Sequence, residues 1–252
     1  MITIDLSGKT AMVTGGSRGI GRAAAEALCE AGARVVITGS SQNAASAAEE
    51  MKSKGYDAVA LRWDLRERGK IPDMFGQCVD LLAGRLDILV NNAGVQSRHK
   101  SEDFPIEDWD YVIDVNLSAV FQLCQLAGRI MLRQGSGKII NIASLLSFFG
   151  GITVPAYAAS KGGVAQMTKA LSNEWASRGI CVNAIAPGYI YTDMNVNLIN
   201  DPKRNAEIIG RIPAGRWGIP DDLKGLVLFL ASGMSDYVCG AVIPVDGGYL
   251  AR

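Results

Sequence analysis

The sequence predicts an α/β fold in which a doubly wound parallel sheet of about seven strands carries helices on both faces. Short runs rich in Val and Ile alternate with longer helical patterns along all 252 residues. The runs are continuously apolar rather than alternating, which is typical of parallel strands buried on both faces. Strand–helix alternation requires right-handed crossovers, which make the strands parallel. Because no linker or internal repeat interrupts the pattern, residues 1–252 are predicted to form a single domain.

Apolar runs bounded by Gly, Asn, Asp or Ser are predicted to be strands. In chain order they cover residues 10–14, 34–38, 58–63, 86–91, 138–143, 181–186 and 242–245. Helical patterns between them cover residues 20–31, 109–132, 156–177 and 221–231. Residues 194–211 are polar and without a regular pattern, and we predict that they form a mobile lid over a substrate.

Composition narrows the function class. Lys and Arg total 25, and so do Asp and Glu, so neither nucleic acid nor a membrane is expected as a partner. The five cysteines are scattered, as expected for buried thiols in a reducing compartment. A single histidine excludes multi-histidine metal sites, and no metal is expected. With no apolar targeting segment in residues 1–10 and no apolar run approaching membrane-spanning length, we expect a cytoplasmic protein.

The first predicted strand leads directly into a glycine-rich turn, which a helical pattern follows. Glycines let the backbone approach a pyrophosphate closely, and a helix N-terminus offers it free N–H groups. The spacing is G-x-x-x-G-x-G, and alone it would be a weak signal because such turns also serve packing. Its place after the first strand predicts a dinucleotide site on a Rossmann-type sheet, formed by Gly15, Ser17, Arg18, Gly19, Ile20 and Gly21.

The end of the second strand indicates which dinucleotide is preferred. An acidic residue there would bind the ribose 2′-OH of NAD, but this strand is followed by Gly39 and Ser40. Arg18 could instead meet a 2′-phosphate, since arginine suits phosphate recognition. We therefore predict NADP(H) in preference to NAD(H). The alternative is that Arg18 is a solvated surface charge and that the site accepts both.

Four polar residues form the candidate catalytic set. Tyr157 and Lys161 are one helical turn apart on one face, so the ammonium could lower the pKa of the phenol and make it an acid/base. Ser144 follows a strand, where its hydroxyl could stabilise charge on a substrate oxygen. Asn116 lies inside a helical pattern, where asparagine is unfavourable because its side-chain amide competes for backbone hydrogen bonds. Each feature alone is also compatible with ordinary packing.

Together these segments resemble the classical short-chain dehydrogenase/reductase family over essentially the whole chain. The matching motifs are residues 14–21, Asp64-Leu65, Asn91-Asn92-Ala93-Gly94, Asn116, Ser144, Tyr157-x-x-x-Lys161 and Pro187-Gly188. The resemblance implies a nicotinamide cofactor, a hydride transfer between a carbonyl and an alcohol carbon, and usually a homotetramer.

The resemblance also implies individual roles. Tyr157 would exchange the proton, Ser144 would bind the substrate oxygen, and Lys161 would lower the tyrosine pKa while it holds the nicotinamide ribose. Asn116 would support a water that links Lys161 to solvent, and Asn91 would help to fix the cofactor loop. The remaining cofactor contacts would come from Asp64 and Leu65 at the adenine, Ala93 and Gly94 in the cleft, and Pro187, Gly188, Ile190 and Thr192 at the nicotinamide.

The C-terminal half is most similar to sugar-acid and polyol dehydrogenases of the 2-dehydro-3-deoxy-D-gluconate 5-dehydrogenase and gluconate 5-dehydrogenase group. Arg98 could bind a substrate carboxylate, with Leu146 beside the substrate; the alternative for Arg98 is a solvated loop cation. The predicted function is the NADP(H)-dependent reduction of a ketone to an alcohol, and the substrate could be a keto-sugar acid. An NAD-dependent sugar-acid or polyol dehydrogenase is the alternative, and a non-catalytic NADP(H)-binding regulator is less favoured.

Overall fold

The computed structural model describes residues 3–252, and its parallel sheet has the strand order β3–β2–β1–β4–β5–β6–β7. Every adjacent pair in this sheet is parallel, so the predicted fold class is confirmed. The strands are β1 (Thr10–Thr14), β2 (Arg34–Gly39), β3 (Ala58–Arg62), β4 (Ile88–Asn91), β5 (Gly137–Ile142), β6 (Ile180–Pro187) and β7 (Val242–Val245). The strand order reverses between β1 and β4, which creates the crevice where ligands bind in such sheets.

Helices cover both faces of the sheet. They are α1 (Gly19–Glu30), α2 (Asn43–Ser53), α3 (Ile71–Leu81), α4 (Ile106–Ile113), α5 (Ala119–Gln134), α6 (Pro155–Trp175), α7 (Val196–Ile199), α8 (Pro202–Arg211) and α9 (Lys224–Ala231). The helix predicted over 109–132 is longer, because α4 and α5 join through a π-helical turn at Asp114–Ser118. The strand predicted over 58–63 ends one residue earlier, at Arg62.

The segment predicted to be irregular, 194–211, contains α7 and α8. Helix α8 begins at a cap that the prediction overlooked: the Asp201 carboxylate accepts hydrogen bonds from the backbone N–H groups of Lys203 and Arg204 at 3.0 and 3.1 Å, and Pro202 occupies the first helical position. The buried side chain of Ile208 holds the helix against the body of the protein. The predicted mobility of this segment stays a prediction.

The continuous helix Ile106–Gln134 is long and apolar enough to cross a membrane by length and composition alone. This differs from the expectation that no apolar run approaches membrane-spanning length. Half of its most apolar window is buried inside the protein, where Leu123 and Met131 pack in the same apolar cluster as Met12 of β1 and Leu89 of β4. It therefore serves as a core helix of the α/β fold.

Two apolar clusters, one on each face, hold the helices to the sheet. Helices α3, α5 and α6 contribute to the first, and α1, α2 and α9 contribute to the second, where Leu28, Ile37 and Leu230 are buried. Burying one such side chain contributes about 1.5–3 kcal/mol. Four cysteines are buried as expected, whereas Cys239 is exposed. Burial raises the pKa of Cys78 and Cys124 to about 12, so these thiols stay protonated.

Candidate active site

A cleft of about 2050 Å³ opens at the carboxyl ends of the strands and runs from the glycine turn to Tyr157. Its walls come from the turn after β1, the segments after β2 to β6, and the inner sides of α7 and α8. Most residues proposed from the sequence line it, namely Gly15, Ser17, Arg18, Gly19, Ile20, Gly39, Ser40, Asp64, Leu65, Ala93, Gly94, Arg98, Ser144, Leu146, Tyr157, Lys161, Pro187, Gly188, Ile190 and Thr192. Gly21, Asn91 and Asn116 are not part of this lining.

Gly21 holds the glycine turn from behind rather than facing the cleft. A Cβ atom added to Gly21 would lie 2.2 Å from the Gly15 carbonyl oxygen and 2.3 Å from Asn92 Nδ2. Only a residue without a side chain lets α1 pack this closely against the turn. Gly15 and Gly19 have φ of +64° and +55°, which glycine adopts at little cost. Gly21 therefore has a packing role behind the turn, and its predicted cofactor contact stays a prediction.

Asn92, and not Asn91, ties the β4 loop to the glycine turn. Asn92 Nδ2 donates to the carbonyl oxygens of Thr14 and Gly15, both at 3.0 Å. The Asn91 side chain lies on the other side of the backbone, where its Nδ2 donates to Asn141 Oδ1 at 2.9 Å in the core. Successive side chains at a strand end point to opposite faces, so only one of the two asparagines can face the turn. The role predicted for Asn91 thus belongs to its neighbour.

Asn116 positions the loop that follows β4. Its Nδ2 donates to the Val95 carbonyl oxygen at 2.9 Å and its Oδ1 accepts from the Val95 N–H at 2.8 Å. The side chain is fully buried and belongs to the π-helical turn, a local geometry that is often found at functional sites. Because Asn116 also donates to Ser160 Oγ at 3.2 Å, it links α6 to the loop. It does not touch Tyr157 or Lys161 with its amide, and so acts as a positioning residue.

Lys161 lies at the bottom of the cleft with its ammonium group buried. Its Nζ donates to the Ile142 carbonyl oxygen at 2.6 Å and lies 5.7 Å from the centre of the Tyr157 ring. The side chain is 4% exposed, and this burial lowers the pKa of Lys161 to about 8. Gly94 keeps the adjacent space open, because a Cβ there would lie 3.7 Å from Nζ.

The Tyr157 phenol has a pKa above its ordinary value because it is buried in the cleft. The nearby Ser144 hydroxyl and the positive charge of Arg98 lower this pKa and partly offset the rise. The lowering of this pKa that is expected from Lys161 stays a prediction. A protonated phenol at neutral pH is suited to donate a proton.

Ser144 is held by a cap at the end of β5. Its Oγ accepts from the Leu146 N–H at 3.1 Å, and its own N–H donates to Ser147 Oγ at 3.3 Å. Ser147 Oγ in turn donates to the Lys161 carbonyl oxygen at 2.7 Å. These bonds fix the end of β5, and with it Ser144, against α6, the helix that carries Tyr157.

At the other end of the cleft, Arg18 is already paired. Its Nη1 lies 2.8 Å from Asp193 Oδ2, and both side chains are 72% exposed. Such exposed pairs contribute about 0.2–1 kcal/mol, so the pair can open. Asp64 forms an ion pair with Arg66 through Oδ2 and Nη2 at 2.5 Å, which lowers the pKa of its carboxyl.

The end of the cleft near Tyr157 is positively charged. Arg98 lines it, and within residues 3–252 its guanidinium has no hydrogen-bond or ion-pair partner. Partial burial lowers the pKa of Arg98. Arg204 and Arg211 of α8 also face the cleft, with Arg204 paired to Glu207 at 2.7 Å and Arg211 stacked 4.6 Å from the Tyr249 ring centre. This positive charge can attract an anionic substrate.

Metal chemistry has no candidate ligand set in the part of the chain that the structure describes, since no three His, Cys, Asp or Glu side chains cluster there. His99 instead pairs with Asp108, with Nε2 and Oδ2 2.6 Å apart. Its partner Asp108 belongs to α4.

The family model for short chain dehydrogenase matches residues 9–203, which is most of the chain. The chain belongs to the short-chain dehydrogenase family. It is therefore an NAD(P)-dependent oxidoreductase, and the intact site residues give no support to a non-catalytic regulator. Membership agrees with the resemblance carried by the glycine turn and the Tyr157-x-x-x-Lys161 spacing.

Individual relatives are similar over their full lengths. The chain is 51% identical over 249 residues to 2-dehydro-3-deoxy-D-gluconate 5-dehydrogenase of Bacillus subtilis, covering 98% of this chain and 97% of the relative. It is 40% identical over 247 residues to 5-keto-D-gluconate 5-reductase of Escherichia coli, covering 98% and 97%. A crystal structure of a gluconate 5-dehydrogenase from Burkholderia cenocepacia in complex with NADP and tartrate superposes with a TM-score of 0.94 at 40% identity, covering 99% and 98% of the two chains.

Sequence reasoning missed three residues of this site. Asn92 stands inside the quoted Asn91–Gly94 motif, but the motif alone does not show which asparagine faces the turn. Arg204 and Arg211 belong to the segment expected to be irregular, and the Asp201-Pro202 helix start was the signal that could have placed them on a regular helix.

Proposed function

We propose that the protein uses NADP(H) to reduce the ketone of a keto-sugar acid to an alcohol, with Tyr157 as the proton donor. The observation that carries this proposal is Arg98, which lines the same cleft as Tyr157 and whose guanidinium has no hydrogen-bond or ion-pair partner among residues 3–252. A substrate that binds both groups would have a carboxylate near a carbonyl carbon. Arginine binds carboxylates through two parallel hydrogen bonds, and Arg98 is exposed in the cleft, where such a partner can reach it.

The cleft fits a dinucleotide, and the backbone supports this fit. The N-terminal turn of α1 points its free N–H groups at the cleft, where a pyrophosphate would be favoured. The absent side chain of Gly94 leaves room beside Lys161 Nζ, as a ribose would need. In this proposal the glycine turn holds the pyrophosphate, Asp64 and Leu65 flank the adenine, and the β6 loop from Pro187 to Thr192 holds the nicotinamide. The bound cofactor supplies the hydride.

The protein supplies orientation and the proton. Ser144 Oγ would donate a hydrogen bond to the substrate oxygen, and the Tyr157 hydroxyl would donate the proton that turns this oxygen into an alcohol. Arg98 would fix the carboxylate and so limit which carbonyl carbon reaches the two hydroxyls. The Lys161 ammonium would stabilise the phenolate left on Tyr157 until a proton from solvent restores it.

The test compares a charged and a neutral substrate of the same length. Initial rates with NADPH are measured on 5-keto-D-gluconate and on a neutral ketohexose, for the wild type and for Arg98→Gln. We expect the wild type to prefer the keto acid and Arg98→Gln to lose at least about tenfold in kcat/KM on it, because a charge-assisted bond is lost. Arg133→Gln is the matched control, since Arg133 is exposed at the end of α5, at the opposite edge of the sheet. Equal efficiency on both substrates contradicts the carboxylate proposal.

The second candidate is the NAD-dependent sugar-acid or polyol dehydrogenase that the sequence left open. The Arg18–Asp193 ion pair favours it, because Asp193 competes for the cation that would meet a 2′-phosphate. Rates with NADH and NADPH on the same keto acid separate the two candidates: a clear preference for NADH supports the second.

Assembly and location stay predictions. A homotetramer is expected from the family resemblance, and the half-buried Leu226, Leu228 and Phe229 of α9 offer apolar surface for it. Multi-angle light scattering checks the tetramer, and fractionation of cells checks the expected cytoplasmic location.

A further inference from the structure

A second, smaller cavity of about 390 Å³ lies beside the adenosine end of the cleft. It shares Ser40, Trp63, Asp64 and Arg66 with the main cleft. Its remaining walls are Arg62, Glu67, Lys70 and Met74. The two spaces are therefore neighbours, and a group attached to a ligand in the cleft could enter the smaller one.

Three cationic side chains line this cavity, and two of them are paired with carboxylates. Arg66 is bound to Asp64 through several contacts, and Lys70 is paired with Glu67. Arg62 makes a single hydrogen bond, from Nε to the Ser40 carbonyl oxygen at 3.2 Å. Among residues 3–252, neither of its Nη groups has a hydrogen-bond or ion-pair partner. Two cations are thus balanced by the two carboxylates, and Arg62 supplies the net positive charge.

Ser40 also lines this cavity, and its hydroxyl can donate a hydrogen bond. Trp63 lines it too, but its Nε1 is buried and is not available to a ligand there. A phosphate carries only acceptor oxygens at neutral pH, so a pocket that offers spare donors and a positive charge matches it.

Strand register places Arg62 at the level of the cofactor ribose. β3 pairs with β2 so that Arg62 lies opposite Gly39, the last residue of β2, and the Trp63 N–H continues the pairing by donating to the Gly39 carbonyl oxygen at 2.8 Å. The end of the second strand is where a dinucleotide fold meets the adenosine ribose. Arg18 lines the cleft from the glycine turn, but it is paired with Asp193.

We infer that Arg62, together with Ser40, recognises the 2′-phosphate of NADP(H) and is the main determinant of cofactor choice in this chain. This inference rests on the proposed use of NADP(H). Arg62 holds the phosphate with its two Nη groups while its Nε stays bonded to the Ser40 carbonyl oxygen. Arg18 contributes from the opposite side once it leaves Asp193.

The experiment measures binding of two cofactor fragments and needs no turnover. Calorimetry gives the Kd of 2′,5′-ADP and of 5′-AMP, which differ only in the 2′-phosphate, for the wild type, Arg62→Gln and Arg62→Lys. We expect Arg62→Gln to weaken 2′,5′-ADP binding by about 10- to 100-fold, as expected for losing charge-assisted hydrogen bonds. Binding of 5′-AMP should change by less than about twofold, and Arg62→Lys should recover part of the loss because it keeps the charge.

Arg34→Gln is the matched control. It removes an exposed arginine at the first residue of β2, at the other end of the sheet, and should leave both affinities unchanged. If the wild type prefers 2′,5′-ADP and Arg62→Gln keeps that preference, Arg62 is not the determinant while NADP(H) use stands. If the wild type binds both fragments equally, both the inference and the NADP(H) preference fail.

Discussion

Replacing Gly21 with alanine would add one methyl group at the point where α1 meets the glycine turn. The new Cβ would lie 2.2 Å from the Gly15 carbonyl oxygen and 2.9 Å from the Gly15 carbonyl carbon. Comfortable contacts between such atoms are about 3.5 Å, so the overlap exceeds about 1 Å. The Asn92 side chain, whose Nδ2 lies 2.3 Å away, could shift, but the Gly15 carbonyl belongs to the backbone and cannot swing aside. The turn itself has to move.

The cost can be estimated from this overlap. Inserting a methyl group into a well-packed site costs about 1–3 kcal/mol, and alanine returns at most about 1 kcal/mol because it favours the helix. We expect a net loss of about 1–2 kcal/mol, which lowers Tm by about 2–8 °C in a protein of this size. A displacement of about 1 Å in the pyrophosphate turn should also weaken NADPH binding by at least about tenfold.

Thermal unfolding and NADPH fluorescence titration measure the two effects. Gly76→Ala is the matched control, since Gly76 lies in the middle of α3 and a Cβ there meets nothing within 4 Å. That variant should gain about 0.5–1 kcal/mol and keep its NADPH affinity. If Gly21→Ala binds NADPH as tightly as the wild type, the close packing behind the turn does not govern the cofactor site, and the reasoning is refuted.

Three further changes probe other parts of the site. Asn92→Ala removes two hydrogen bonds to the glycine turn and should lower the free energy of unfolding, measured in urea, by about 1–3 kcal/mol. An unchanged midpoint of the urea unfolding curve would contradict a stabilising role for these two bonds. The Lys161 ammonium is present below its pKa of about 8 and lost above it, so kcat/KM for carbonyl reduction should fall as pH rises through about 8, and a profile flat to pH 10 would exclude this role. Asp193→Asn frees Arg18 and should tighten NADPH binding by about two- to fivefold; weaker binding in a fluorescence titration would show that Asp193 does not compete.

The strands and the main helices could be predicted because their apolar runs are strong and regular. All seven predicted strand segments correspond to strands: two coincide at both ends, and the ends of the others are shifted by at most two residues. Helices α2 and α3 lie in connections for which no helix was predicted, and α8 was mistaken for an irregular lid because its residues are mostly polar. In that last case local capping, and not apolar periodicity, carried the information.

Within the site, the sequence order of motifs identified which residues approach the cofactor but not how they face it. Asn91 and Asn92 are adjacent and chemically identical, and only the position of β4 in the sheet decides that Asn92 meets the turn. That Arg98 and Arg62 have no acidic partner among residues 3–252 is likewise invisible in the sequence, because it depends on which acids neighbouring segments bring near. The π-helical turn around Asn116 has no simple sequence rule either.

The central claim is that Tyr157 donates the proton in a hydride transfer, and Tyr157→Phe tests it most directly because it removes only the hydroxyl. Turnover of a keto acid with NADPH and the Kd of NADPH are measured on the same preparation. We predict a fall in kcat of about 10²- to 10⁴-fold, with a Kd that stays within about twofold of the wild type. Activity within about tenfold of the wild type would contradict the assignment of Tyr157 as the proton donor.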